Sequence, residues 1–414
     1  MQNLFFDNRS FRSFLMFSSF MAIGRSMFRI FMMWVIHALF HNPMYTGIAG
    51  FLFLSPFVAS FIVGPFVDSW NKLTVLRISC FVYLCIAVLL LAANIFFLPN
   101  VWLLFLAILL FCLASLFIAP AHTAFLPMIV EGKDLVKANA LMNLTGFFGG
   151  LIIAILLFSL MDSATGFTIV YAIIASAILI ALFFSIFLRN DEPSEQANKT
   201  KKNAPRAYFS ELKDGLSFVK SGAMLALAVA SVTMSFFADL AYVNLPVFAE
   251  FHLGTASGYV VLSALSLMGG LLGSYICRML ENFKLGLILA ATFLAAGVMR
   301  FLFVNNIADN YSRAILIYIL YIGLGSAIAI FYRAIVQNMP PKNLISRVDT
   351  TLTSITAISA AIGALVGGFL GTLLHIVDFV FLLQAVSYII IGLCLCLSKK
   401  VRKLPKISEL KSKD

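Results

Sequence analysis

Long blocks of hydrophobic residues, separated by short polar stretches, run along almost the whole chain. Twelve blocks are each long enough to cross the roughly 30 Å hydrocarbon core of a bilayer as a helix. They do not alternate polar and apolar residues, as the strands of outer-membrane barrels do. The pattern therefore predicts an all-α membrane protein with spans at roughly 11–40, 45–68, 73–97, 100–126, 138–161, 165–189, 222–248, 257–280, 284–304, 312–337, 349–374 and 377–398.

Composition supports this prediction and excludes a soluble globular domain. Of the 414 residues, 62% are hydrophobic and 11% are charged, whereas soluble domains are about 45–50% apolar and about 25% charged.

The positive charge of the chain follows a topological pattern. Its net charge is +11, and 24 of the 29 lysines and arginines lie in segments on one side of the membrane if the N-terminus is inside. That asymmetry is the positive-inside rule. It predicts a multi-pass protein of a bacterial cytoplasmic membrane with both termini cytoplasmic, and it explains the basic charge without a nucleic-acid partner.

The longest polar stretch, 189–222, divides the chain into six spans and six spans. We expect an N-terminal six-helix half (1–189), a cytoplasmic linker (190–221), a C-terminal half (222–398) and a basic cytoplasmic tail (399–414). Within the linker, apolar residues recur at helical spacing and predict an amphipathic helix on the inner membrane surface. The halves look like parallel repeats, since "EGKDLVKANALMNLTGFFGG" (131–150) resembles the stretch from 340 to 368, and Gly64 corresponds to Gly273.

The stretch "GPFVDSWNKL" (64–73) resembles the inner-loop signature of the major facilitator superfamily, with Gly64, Asp68 and Lys72 matching and Cys277 replacing the acid in the second half. The loops at 120–141, 209–220 and 333–348 are similar to those of macrolide-efflux proteins and enterobactin or siderophore exporters. The resemblance implies a 12-helix major-facilitator fold of two pseudo-symmetric halves, whose spans 1, 4, 7 and 10 line a central cavity. It also implies that Gly64, Asp68 and Lys72 take part in gating.

Two arginines interrupt the first hydrophobic span. Arg25 and Arg29 are four residues apart, so they share one helix face about 6 Å apart, and cations this deep are kept where they pair, hydrate or bind something. Asp239 on span 7 lies at a similar depth and is the expected counter-charge. The alternative is a salt bridge that closes the cavity and touches no substrate.

Arg333 adds a third base, unless it caps the inner end of span 10. Surplus positive charge in a cavity attracts anions, and guanidinium groups bind carboxylates bidentately. We therefore predict substrate contacts by Arg25, Arg29 and Arg333. The aromatic residues Phe28, Tyr242 and Tyr321 are candidates for the apolar part of the substrate, with helix packing as the alternative.

Asp239 is also the candidate for proton coupling, because a carboxylate that loses its cationic partner in one state takes up a proton more readily. Asp162 and Glu250, near the outer surface, are weaker candidates. Gly146 and Gly150 on span 5, like Gly363 and Gly367 on span 11, repeat every four residues and predict close helix packing.

Together these features predict a proton-coupled exporter of a small amphiphilic molecule, with an anionic, siderophore-like substrate favoured. A multidrug or macrolide efflux pump is the alternative, and a non-transporting receptor or sensor is an alternative of another class. No nucleotide-binding loop, metal-ligand spacing or hydrolase cluster is present in the sequence, so we expect no enzyme activity, cofactor or metal. The expected partners are the substrate, protons and membrane lipid, and the expected state is a monomer.

Overall fold

The described chain consists of helices. The computed structural model describes residues 8–59, 63, 70–96, 100–130, scattered positions between 134 and 161, 163–188, 216–220, 222–280, 282–341, 344–374 and 377–404. Its α-helices are α1 (Arg9–Phe40), α2 (Pro43–Leu54), α3 (Lys72–Phe96), α4 (Val101–Ile129), α5 (Ala164–Ile186), α6 (Gly222–Tyr242), α7 (Leu245–Leu253), α8 (Ala256–Met279), α9 (Leu285–Asn306), α10 (Tyr311–Asn338), α11 (Ile345–Leu374), α12 (Val377–Leu397) and α13 (Lys399–Arg402). A 3₁₀ turn, Ser55–Ala59, follows α2.

The described helices agree with the predicted spans to within a few residues, except that the seventh predicted span (222–248) is interrupted: α6 ends at Tyr242 and α7 begins at Leu245. Ten of them are long and apolar enough to cross a membrane, and α2 with its following turn adds a shorter apolar segment. The rest of the second predicted span and most of the fifth lie outside the described residues. The prediction of an all-α membrane protein is confirmed, since no strand occurs in the described part.

Local sequence explains where several helices begin and end. After α1, His41 takes a left-handed backbone conformation (φ 46°), and the Asn42 side chain accepts a hydrogen bond from the Met44 N–H at the start of α2. Pro43 occupies the first turn, where it lacks only an N–H that would have no helical partner. Asn8, Asn100 and Asn310 cap α1, α4 and α10 in the same way, which satisfies amide groups that the helices leave unpaired.

The chain forms two compact units that interleave along the sequence. Unit 1 comprises Met1–His41, Ala59–Pro205 and Thr255–Ala264, and unit 2 comprises Asn42–Val58, Arg206–Gly254 and Leu265–Asp414. Helix α2, from the first half of the sequence, therefore belongs to unit 2, and the first turns of α8 belong to unit 1. The predicted division into six-helix halves at the linker stays a prediction, because most of the linker lies outside the described residues.

Unit 1 is built around α1, which packs against α4 and α5, while α3 packs against the same two helices. Arg77 of α3 donates to the carbonyls of Ser185 (2.8 Å) and Leu188 (3.1 Å) and so caps the end of α5. The Tyr259 hydroxyl, at the start of α8, donates to the Ile30 carbonyl of α1 at 3.0 Å. The Arg77 bonds fix the end of α5, and the Tyr259 bond fixes the start of α8 against the interior of α1.

In unit 2, α11 packs against α6 and α2, and α9 packs against α10 and α12. Gly363 and Gly367 allow the close approach of α11, because a Cβ at either position would collide with the carbonyl oxygen of Phe236 or Leu240 on α6. At the end of α6, the buried Asn244 side chain donates to Leu240 (3.0 Å) and to Gly367 (2.9 Å). Backbone contact through small residues thus holds α6 and α11 together.

Candidate functional site

Arg25 lies at the centre of a polar cluster inside unit 1. Its side chain is half-buried and interacts with the Tyr83 hydroxyl of α3 and with the nearby His122 ring of α4. Tyr83 is hydrogen-bonded to Ser115 at 2.6 Å, and His122 to Ser18 at 2.7 Å. We call Ser18, Arg25, Tyr83, Ser115 and His122 the Arg25 cluster. It joins α1, α3 and α4 by side chains that can donate to or accept from a ligand.

The neighbours of Arg25 on α1 have different surroundings. Arg29 is exposed and interacts electrostatically with the thiol of Cys112 on α4. Phe28 is 1% exposed and stacks on Phe111 with centroids 4.0 Å apart. Phe111 also stacks on the ring of Tyr83, with centroids 4.2 Å apart. The structure therefore places Phe28 in the packing between α1 and α4, beside the Arg25 cluster.

The described helices of unit 1 carry a surplus of positive charge. Helices α1, α3, α4 and α5 contain no aspartate or glutamate, whereas α1 carries Arg25 and Arg29 in its interior. On these helices no acidic side chain offsets the charge of Arg25, which can therefore attract an anionic ligand.

In unit 2, aromatic side chains surround a second buried arginine, Arg300 of α9. The guanidinium carbon lies 4.5 Å from the ring centroid of Phe381, 4.7 Å from that of Tyr321, 5.4 Å from Phe303 and 5.9 Å from Tyr318. We call these five residues the Arg300 cage. Arg300 is 3% exposed, and its Nε and Nη1 have no hydrogen-bond partner among the described residues.

Two predicted residues of unit 2, Tyr321 and Tyr242, lie on or beside this cage, and a third, Asp239, precedes Tyr242 on α6. Tyr321 belongs to it, and its hydroxyl accepts a hydrogen bond from Nε2 of the buried Gln384 at 2.9 Å. Tyr242, half-buried at the end of α6, interacts electrostatically with Tyr318. Asp239, one turn earlier on α6, is also half-buried.

A cavity of about 210 Å³ lies between α6, α9, α10 and α11. Its wall is mostly apolar, with a hydrogen bond between Ser231 and Tyr332 (3.0 Å) as a polar feature. Phe293 of the wall packs edge-on against Tyr388, which in turn lies beside Tyr321. The cavity is lined by Leu227, Ala230, Ser231, Met234, Ser235, Leu289, Phe293, Ile328, Ala329, Tyr332 and Thr356.

The remaining predicted residues are dispersed. Arg333 is exposed on α10, and the Lys72 ammonium donates to the Trp70 carbonyl at 3.1 Å. Gly64, Asp68, Gly146, Gly150 and Asp162 lie outside the described residues. In the described ranges, no three His, Cys, Asp or Glu side chains come together as metal ligands would.

A family profile of the Major Facilitator Superfamily matches residues 14–351. The chain belongs to the Major Facilitator Superfamily. It is thus a multi-pass secondary transporter of the major-facilitator kind, as the resemblance of its loops implied. No curated protein sequence matches the chain.

Several solved structures of other transporters have the same fold as this facilitator, although their sequence identity to it is low. A mutant form of the nucleoside transporter NupG is 12% identical, covers 94% of this chain and 99% of its own, and has a TM-score of 0.74. A POT family transporter in complex with 5-aminolevulinic acid is 12% identical, with coverages of 96% and 97% and a TM-score of 0.71. A bacterial homologue of the lysosomal transporter Spinster is 11% identical, with coverages of 97% and 98% and a TM-score of 0.63.

Arg300 and Gln384 are residues of this facilitator to which sequence reasoning assigned no role. Arg300 was visible as a lone cation in the ninth hydrophobic block. However, nothing in the sequence indicated that aromatic residues of α10 and α12 would surround it.

Proposed function

We propose that this facilitator exports a small amphiphilic anion, such as a siderophore-like carboxylate, by alternating access coupled to protons. The observation that carries the proposal is the half-buried Arg25 on an acid-free group of helices. Export as the direction rests on the resemblance of its loops to those of efflux proteins.

The Arg25 cluster suits a carboxylate. A guanidinium stays protonated at all physiological pH values and presents parallel N–H donors that match the two carboxylate oxygens. Tyr83 holds the guanidinium from one side, and His122 and Ser18 add further polar groups at the same level of α1 and α4. Weak solvation inside the protein strengthens each of these interactions.

Asp239 supplies the proposed proton coupling. A carboxylate that pairs with a cation in one state of the cycle is held ionised there, and it takes up a proton when the cation moves away. We propose Arg29 as that cation, so that substrate binding at Arg25 and proton binding at Asp239 occur in different states.

A second candidate is the export of an uncharged drug, such as a macrolide. The observation that favours it is the mostly apolar cavity of unit 2, where Ser231, Ser235, Thr356 and Tyr332 offer a few hydrogen bonds on an otherwise hydrophobic wall. Ligand pockets for uncharged amphiphiles have this composition.

The test is uptake into inverted membrane vesicles energised with a pH gradient, acidic inside. The substrates are a panel of citrate-type siderophores and a matched panel of neutral and cationic lipophilic drugs. We expect gradient-dependent carboxylate uptake that Arg25→Gln reduces about tenfold to a hundredfold, since a lost hydrogen bond to a charged group is worth about 1.5–3 kcal/mol. We also expect Asp239→Asn to remove the dependence on the gradient.

Arg313→Gln is the matched control, because it removes the same charge from an exposed position at the start of α10. It should leave uptake unchanged. If the vesicles took up only drugs, and Arg25→Gln were as active as wild type, the proposal of an anion exporter would be rejected in favour of a drug exporter. Saturable binding of a carboxylate without any uptake would instead indicate a receptor.

A further inference from the structure

The end of α12 leads into a short basic helix, α13, at one end of unit 2. Val401 of α13 is 0% exposed and Leu404, just after the helix, is 5% exposed. The side chains before and between them are exposed bases, which we call the α13 patch: Lys399, Lys400, Arg402 and Lys403. The helix therefore has an apolar side packed on the protein and a basic side that faces away from it.

Helix α13 is held in place by close backbone contact. It packs against α6, α9 and α12, and a Cβ at Gly286 of α9 would collide with the Val401 carbonyl oxygen. The Ser398 hydroxyl accepts a hydrogen bond from the Val401 N–H at 3.4 Å, and the Ser398 N–H donates to the Cys394 carbonyl of α12 at 3.1 Å. The four bases are therefore presented at a defined position beside the first turn of α9.

Two further exposed bases lie at the same end of unit 2. Arg278 is in the last turn of α8, and Lys284 directly precedes α9, whose first turn contacts α13. In the sequence, residues 278–284 and 398–404 together contain six bases and one acid, Glu281, which lies outside the described residues. The positive-inside rule predicts that this end faces the cytoplasm, where anionic lipids give the membrane surface a negative potential. Charge complementarity therefore favours an anionic lipid headgroup as the partner of this surface.

Exposed apolar side chains adjoin these bases. Met279, Phe283 and Leu397 are 64%, 60% and 78% exposed, and each lies one or two residues from a base of this surface. Proteins present bases beside exposed apolar and aromatic side chains at the boundary between headgroups and acyl chains. A soluble acidic protein or a free nucleotide would leave these apolar side chains in water, whereas a phospholipid covers them with its acyl chains.

We propose that the α13 patch, together with Arg278 and Lys284, is a binding site for an anionic phospholipid of the phosphatidylglycerol type. Ammonium and guanidinium groups bind the lipid phosphate by charge-assisted hydrogen bonds, while Met279, Phe283 and Leu397 contact the acyl chains. The bound lipid holds α13 against α6 and α9. The site does not depend on the transported substrate, so its test is independent of the proposed export.

The experiment uses the full chain in phosphatidylcholine vesicles that contain an increasing fraction of brominated phosphatidylglycerol, whose bromine atoms quench nearby tryptophan. Phe283→Trp places a reporter at the site, and its fluorescence is obtained by subtracting the wild-type signal. Brominated phosphatidylcholine gives the reference, and we expect the reporter to prefer phosphatidylglycerol more than tenfold. Each base near a membrane surface strengthens this attraction by up to about fivefold, so adding Lys399→Gln and Lys400→Gln should lower the preference about tenfold.

Arg9→Gln with Arg12→Gln is the matched control, because it removes two exposed bases from the start of α1, on the same predicted side of the membrane. It should leave the preference unchanged, and free glycerol phosphate in the buffer should not displace the lipid. The proposal is overturned if both brominated lipids quench the reporter equally, or if the control pair loses the preference as fully as the α13 pair. It is equally overturned if glycerol phosphate abolishes the preference, which would indicate a site for free phosphate esters.

Discussion

At the scale of single residues, the cations inside hydrophobic helices show how one side chain can serve different purposes. Arg25 is half-buried among hydroxyl and imidazole groups, which leaves its charge available to a substrate. Arg300 is buried among aromatic rings, which stabilise its charge without binding its N–H groups. The chemistry of the neighbours, rather than that of arginine itself, distinguishes these sites.

The Tyr83 hydroxyl should position Arg25 for the substrate. Tyr83→Phe keeps the ring and its stacking on Phe111 but removes the bond to Ser115 and the contact with Arg25. We expect the KM for carboxylate uptake to rise about fivefold, since one neutral hydrogen bond is worth about 1 kcal/mol. Vesicle uptake measures this change.

The control for this variant is Tyr275→Phe, because Tyr275 is 61% exposed on α8 and belongs to unit 2. Both variants should take up a neutral substrate at the wild-type rate. If the KM for carboxylate uptake were unchanged in Tyr83→Phe, Tyr83 would not be a residue that positions Arg25 for the substrate.

At the scale of the elements, contacts between backbones hold α6 and α11 together. Gly363 and Gly367 face carbonyl groups of α6, and Asn244 links the end of α6 to the Gly367 carbonyl. Hydrophobicity cannot select this pairing, because lipid is as apolar as a leucine side chain. Small residues and a buried amide select it instead.

A methyl group at Gly363 should separate these helices. Gly363→Ala places a Cβ against the Phe236 backbone, which cannot move as a flexible side chain can. Overpacking of this kind typically costs about 1–3 kcal/mol, so we expect a lower unfolding temperature in detergent.

Gly270→Ala in α8 is the matched control, because nothing lies within 4 Å of its added Cβ. There the higher helix propensity of alanine, worth up to about 1 kcal/mol, should leave stability unchanged or raise it. Equal stability of the two variants would contradict close packing at Gly363.

A hydrogen bond between two side chains joins α7 to α12. His252 Nε2 donates to Asp378 Oδ1 at 2.6 Å, with the histidine side chain 8% exposed. His252→Ala should lower stability by about 1.5–3 kcal/mol, the usual value for a bond to a charged group. A double-mutant cycle with Asp378→Asn checks this, since additive losses would mean that the two side chains do not interact.

At the scale of the whole molecule, the two compact units do not follow the order of the sequence. Helix α2 packs against α11 within unit 2, and the start of α8 is bonded to α1 within unit 1. Each unit therefore contains a segment from the other half of the sequence. For alternating access we expect such joined segments to separate once in every transport cycle.

A covalent link between α2 and α11 should therefore stop transport. Asn42 and Thr372 have side-chain oxygens 3.3 Å apart, so Asn42→Cys with Thr372→Cys can be oxidised or joined by a short thiol crosslinker. We expect crosslinking to reduce vesicle uptake at least tenfold. For the oxidised pair, a reductant should restore uptake.

Asn42→Cys alone, treated with the same reagents, controls for modification of the native cysteines, of which Cys85 and Cys394 are exposed. A crosslinked double variant that still transports at the wild-type rate would mean that α2 and α11 stay together throughout the cycle.

The sequence by itself determined the membrane class, the approximate positions of most described helices and which hydrophobic spans carry a cation. These properties depend on local composition: the length of an apolar block, an asparagine before a helix, or an arginine within a span. The family could be recognised from the loops, since they carry the signature residues around Gly64 and Lys72.

Only the tertiary structure decided which helices meet and what surrounds each arginine. The partners of Arg25 come from α3 and α4, and those of Arg300 from α10 and α12 as well as α9. Hydrophobic patterning carries no such information, because every span satisfies it equally and no apolar face prefers one neighbour over lipid. The choice is made by a few glycines, buried amides and hydroxyls, whose partners lie far away in the sequence.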